Sequence, residues 1–120
     1  MQKFSQLFGK LPTKPTGAAL LFEDPANGET RSFPLSDTLL VGRLSKNPRS
    51  LEGCDLALQD DQLSRKHFAI THSDEIYLLR DLNSRNGTFV NDQDEPVRES
   101  ILKSGDIIFA GRMVFSFIGS

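Results

Sequence analysis

At 120 residues the chain has the length of one domain, and with 38% hydrophobic and 25% charged residues it can bury a single core and stay soluble. A formal net charge of −2 argues against a general nucleic-acid binder, which presents a basic face, although a local positive patch is still allowed. Cys54 is the only cysteine, which excludes an internal disulfide; no apolar run approaches the ~18 residues of a membrane span, and the expectation is a cytoplasmic monomer.

Residues 1–17 read as a flexible N-terminal tail. Phe4, Leu7, Phe8 and Leu11 recur at helical spacing, and Pro12-Thr13-Lys14-Pro15-Thr16-Gly17 then stops any helix and forms a linker. Residues 18–120 change character, to short apolar runs divided by turn residues. Ala18 to Phe22 and Thr30 to Leu35 are predicted as a hairpin around Asp24-Pro25-Ala26-Asn27-Gly28. Thr38 to Val41 leads into Gly42-Arg43, and Asp55 to Leu58 follows after a long loop from Leu44 to Gly53 that carries Lys46 and Arg49. His67 to Thr71 pairs with Ile76 to Leu82. Thr88 to Val90, Ser100 to Leu102, Ile107 to Ala110 and Met113 to Ile118 complete the set, with tight turns at Ser104-Gly105-Asp106 and Gly111-Arg112. Roughly ten short strands and no long amphipathic helix predict an all-β sandwich.

Three pieces beside these strands carry chemistry: Gly42-Arg43, Ser64-Arg65-Lys66-His67 and Asn83-Ser84-Arg85-Asn86-Gly87-Thr88. They offer guanidinium, hydroxyl, amide and Gly-flanked backbone N–H groups, with no carboxylate inside any piece. Such groups hold a dianionic phosphate. Arg43 presents a planar fork to two phosphate oxygens; standing alone it would be a solvated strand-end Arg. Ser64 and His67 invite a hydrolase reading, but residues i and i+3 of an extended segment point to opposite faces, and no acid occupies an evident third role. The Ser64 hydroxyl and Arg65 are therefore expected to face a ligand, while His67 ties the loop down through its ring nitrogens. Asn86-Gly87 alone is a hairpin-turn signal; its functional reading aims the Asn86 amide at a peptide backbone, with Ser84 and Arg85 on the phosphate side and Gly87 allowing close approach. His67, His72 and Cys54 have no metal-type spacing, so no metal is expected. Gly105-Asp106 and Gly111 read as turns at the far end of the sheet, without ligand chemistry.

In this order, and on an all-β background, the pieces over residues 18–118 resemble the forkhead-associated (FHA) domain: a Gly-Arg pair, a Ser-x-x-His, an Asn-Gly-Thr entering an aliphatic strand, and a late Gly-Asp. The resemblance implies a β-sandwich of about eleven strands with binding loops at one end, and a reader of phosphothreonine in partner proteins. It implies phosphate contacts for Arg43 and Ser64, an added contact from Arg65, a peptide-backbone contact from Asn86, and a supporting role for Gly42, His67, Ser84 and Gly87. Arg85 departs from the pattern, where a short hydroxyl residue is usual; it either adds charge to the phosphate site or crowds it. The basic Leu44–Gly53 loop either reaches the peptide flanks or is an insertion, which costs little.

The expected function is a phosphothreonine-dependent interaction module, without catalysis, cofactor, nucleic acid or membrane. The rival readings are an FHA-like fold that binds an unphosphorylated surface or itself, and an enzyme.

Overall fold

The computed structural model describes residues 16–47 and 53–119. Residues 1–15, with Phe4 to Leu11 of the tail, and residues 48–52, with Arg49 of the basic loop, lie outside the described residues. The strands are β1 (Ala19–Glu23), β2 (Thr30–Pro34), β3 (Thr38–Arg43), β4 (Leu56–Leu58), β5 (Phe68–Ser73), β6 (Ile76–Asp81), β7 (Thr88–Val90), β8 (Glu99–Leu102), β9 (Ile107–Ala110) and β10 (Met113–Ile118). Each overlaps a segment predicted as a strand, and no helix occurs among the described residues.

Two five-stranded sheets face each other, in the orders β2-β1-β10-β9-β7 and β4-β3-β5-β6-β8. The period-2 pattern sets the faces. Leu20 and Phe22 of β1 turn inward, as do Met113, Phe115 and Phe117 of β10, and they meet Leu39, Val41, Phe68, Ile70 and Leu79 from the other sheet. Phe115 packs against Phe22 at 5.5 Å and Phe68 at 5.6 Å between ring centroids, so one ring joins both sheets. Each such side chain, fully buried, contributes roughly 1.5–3 kcal/mol.

The register decides which loops share an end. β3 and β4 run parallel, with Arg43 beside Leu58; β5 runs antiparallel to β3, with Phe68 beside Val41; and Phe68 also faces Asp81 at the end of β6. The segments that leave β3, enter β5 and leave β6 therefore gather at one end of the sandwich. Asn86-Gly87 is no hairpin turn: β6 pairs with β5 and β8 while β7 pairs with β9, so this turn lies in a crossing from one sheet to the other. Gly111 is likewise displaced from its expected place at the far end. Thr88 pairs with Ala110, which brings the β9–β10 turn to the loop end. Thr16, assigned to the tail by its sequence, bonds to the domain: its N–H and hydroxyl both donate to the Leu35 carbonyl, at 3.0 and 3.2 Å.

Candidate functional site

Gly42 lets β3 approach the Ser64–His67 segment closely. A Cβ on Gly42 would lie 1.9 Å from the Arg65 carbonyl oxygen and 2.7 Å from Cys54 Sγ, so only glycine fits. Two backbone bonds close the contact: Arg43 N–H donates to Ser64 O, and His67 N–H donates to Val41 O, both at 2.9 Å. Arg43 thus leaves β3 half-buried, with Nη1 3.5 Å from Leu63 O. The Cys54 thiol donates to Arg65 O at 2.9 Å; burial, with Asp55 beside it, pushes this thiol above its ordinary pKa and away from thiolate chemistry.

His67 is fully buried and joins two loops. Its Nδ1 accepts from the Ser64 N–H at 3.0 Å, which leaves Nε2–H to donate to Gly87 O at 2.9 Å. The Ser64 group on the imidazole is the backbone amide, not the hydroxyl, so no Ser–His dyad of the hydrolase kind is assembled. Ser64 Oγ instead accepts the Arg85 N–H at 2.9 Å, across 21 residues of chain. Loop is tied to loop by the residues that the motif contributes.

Two site residues sit otherwise than expected, and a third, Gly87, takes the positive φ expected of its turn. Ser84 does not face the loop end openly: its hydroxyl donates to Asp81 Oδ1 at 2.6 Å and accepts the Gly87 N–H at 3.0 Å. The Asn86 amide, expected to point at a ligand, donates to the Gln62 carbonyl at 2.9 Å and to Gln62 Oε1 at 3.2 Å. Gly87 adopts φ +89°, the left-handed region that favours glycine, and a Cβ there would meet Phe89 and Pro96 at 3.4 Å. Its role is conformational as well as one of approach. Arg65 and Arg85 are exposed at the same end.

Two acids matter that the motifs do not contain. Asp81 Oδ1 also accepts the Thr88 hydroxyl at 2.7 Å, and Oδ2 accepts the Ser84 N–H at 3.1 Å. Burial pushes the Asp81 carboxyl up, but the hydrogen bonds from Ser84 and Thr88 outweigh it and hold the group below its ordinary pKa. An Asp at a strand end three residues before a Ser is a recognisable turn signal, and it could have been found. Asp60, 6% exposed, accepts the Gln62 N–H at 2.9 Å and the Arg112 N–H at 2.7 Å. A Cβ on Gly111 would lie 2.8 Å from Asp60 Oδ2. Asp60 thereby fastens the β9–β10 turn to the segment that precedes Ser64. Among the described residues no group of three His, Cys, Asp or Glu side chains could hold a metal ion, and no helix is long and apolar enough to cross a membrane.

The FHA domain model matches residues 39–111. The oxoglutarate dehydrogenase inhibitor of Corynebacterium jeikeium is 33% identical over 105 residues, which cover 87% of this chain and 67% of that protein. An FHA domain-containing protein of Arabidopsis thaliana, At4g14490, is 28% identical over 81% of this chain, yet the match covers only 24% of the relative's length. Among solved structures, the FhaA FHA domain complexed with the intracellular domain of Rv3910 superposes with a TM-score of 0.64 at 31% identity, covering 83% of this chain and 98% of that one. Mycobacterium tuberculosis EmbR in complex with a low-affinity phosphopeptide gives 0.64 at 31% identity, over 85% of this chain and 24% of that one.

Proposed function

The chain belongs to the FHA-domain family, and we propose that it is a phosphothreonine-dependent protein-interaction module without catalytic activity of its own. The observation that carries this reading is the gathering of Arg43, Ser64, Arg65 and Arg85 at one end of the sandwich, on loops tied together by His67. The Arg43 fork meets two phosphate oxygens, and the Ser64 hydroxyl, whose oxygen is set by the Arg85 N–H, turns its own hydrogen to a third. Arg65 and Arg85 match the remaining charge of a group that carries about −1.5 to −2 near neutral pH. Asn86 leaves Gln62 to grip the peptide backbone once ligand arrives. The complex of EmbR with a phosphopeptide supports a phosphorylated ligand, and that of the FhaA FHA domain with the intracellular domain of Rv3910 supports a protein partner.

Threonine is preferred to serine because its methyl group packs beside the Asn86 turn, worth about 0.8 kcal/mol in transfer alone. Titration of a phosphothreonine peptide library, with matched phosphoserine and unphosphorylated controls, tests the reading. Binding should require phosphate and favour phosphothreonine. Equal affinity for unphosphorylated peptides would replace it with a phosphate-independent docking domain, and indifference between the two phospho-residues would reduce it to charge attraction.

A further inference from the structure

An open sheet ends in strands with one side unpaired, and the four end strands here are not alike. They are β2 and β7 in one sheet, β4 and β8 in the other. β2 carries Pro34, which has no N–H to offer, and β4 and β7 are three residues each. Beside β7, moreover, the Val97 N–H donates to Thr88 O at 2.8 Å. β8, Glu99-Ser100-Ile101-Leu102, has none of these protections. Asp81 N–H donates to Arg98 O, and in an antiparallel pair the bonds to one neighbour fall on every second residue. Ser100 and Leu102 thus turn their backbone groups to β6, while Glu99 and Ile101 turn theirs to the open side, where no strand pairs with them among the described residues. Ile101 is also the most exposed large hydrophobic side chain among the described residues, at 59%, and it lies beside Leu78 on the outward face.

We propose that β8 pairs antiparallel with β8 of a second copy of this chain, about a two-fold axis at Ile101. Charge selects both the occupant and the register. Charged residues on an edge ordinarily keep other strands away. Glu99, Ile101 and Lys103, which directly follows β8, share one face by the period of two. Pairing centred on Ile101 sets that residue against its own copy and Glu99 against the second copy's Lys103, twice over by symmetry. Centring on Glu99 would oppose two carboxylates, and centring on Ser100 or Leu102 would set Ile101 against a charge. Glu99 already holds Arg80 at 2.8 Å with its side chain half exposed, so the incoming ammonium completes a row of alternating charge. Across the axis the two Ile101 residues exchange N–H to C=O bonds.

The contact is small. Four residues of edge span about 13 Å, whereas a stable interface engages about 20 to 30 residues a side, so the pair forms in concentrated protein or where partners bring two copies together. Glu99 lies towards the loop end, because it pairs with Arg80, next to Asp81. An antiparallel pair therefore points its two loop ends in opposite directions. With the phosphothreonine reading of those ends, the pair bridges two marked partners and gains avidity from both; the pairing itself does not rest on that reading.

Sedimentation equilibrium of the unphosphorylated full-length protein, without peptide, tests the pairing at concentrations up to the millimolar range. The parent should pass from monomer to dimer. Glu99→Lys and Lys103→Glu each set like charges opposite one another, and each should weaken dimerisation roughly tenfold or more. Both side chains are exposed, so the fold should survive either change. An equal mixture of the two variants restores unlike pairs on both sides of the axis and should associate as the parent does, as a heterodimer. A parent that stays monomeric throughout overturns the proposal. A dimer that both substitutions leave unchanged overturns it in favour of another surface, and a mixture that associates no better than either variant alone overturns the register.

Discussion

Arg43 and His67 stand on opposite sides of the contact between β3 and the Ser64 segment, and their substitution should separate binding from stability. Arg43 has a half-buried stem and a guanidinium 3.5 Å from the nearest carbonyl, so it holds little of the fold. Arg43→Ala is expected to weaken phosphopeptide binding by at least ~2 kcal/mol, as the loss of a paired charge does, with the melting temperature almost unmoved. Calorimetric titration and thermal unfolding check both halves, and undiminished affinity would remove Arg43 from the site. His67→Ala leaves the Ser64 N–H and the Gly87 carbonyl without partners inside the protein, and should lower stability by about 1–3 kcal/mol. Binding then falls as a consequence. A variant that unfolds in denaturant like the parent, yet binds nothing, would make His67 a direct ligand contact.

At the scale of the element, the end of β3 and the segment entering β5 behave as one unit because Gly42 has no side chain. Gly42→Ala places a carbon where the Arg65 carbonyl now lies, and the segment must move. Overpacking of this kind costs about 1–3 kcal/mol, and because Ser64 and Arg65 ride on the displaced segment, affinity should fall with stability. Gly53→Ala is the control: a Cβ there meets nothing within 4 Å, so neither quantity should change. Gly42→Ala with full affinity would show that the register of this segment does not set the phosphate contacts.

At the scale of the whole molecule, Asp81 links the sheets. It ends β6 in one sheet and accepts the hydroxyl of Thr88, which begins β7 in the other. Its folded pKa lies below the ordinary value, so the unfolded chain binds the proton more readily. The stabilisation from its carboxylate is therefore fully present above about pH 4 and is lost as pH falls through the lower, folded value. Urea denaturation of the parent and Asp81→Asn should differ most near neutral pH, and the difference should shrink in strong acid. A gap independent of pH would assign the loss to geometry rather than charge.

The ten strands were legible in the sequence alone, because short apolar runs such as Met113 to Ile118 and turn residues such as Asp24 to Gly28 act locally, but which face of a run such as Met113 to Ile118 turns inward was decided by the packing of the sheets. The residue types of the proposed site, Arg43, Ser64, Arg65, Arg85 and Asn86, were selected on a similar local ground, their place at the ends of recognisable strands or in the loops beside them. What those side chains touch was decided only by the tertiary structure. Asn86 bonds to Gln62, 24 residues earlier; Asp60 bonds to Arg112, 52 residues later; and Asn86-Gly87, locally a hairpin signal, joins two sheets. Local sequence sets the backbone geometry of a turn, but the partner of a hydrogen-bonding side chain depends on which distant strand the register brings alongside it, and no local pattern carries that pairing.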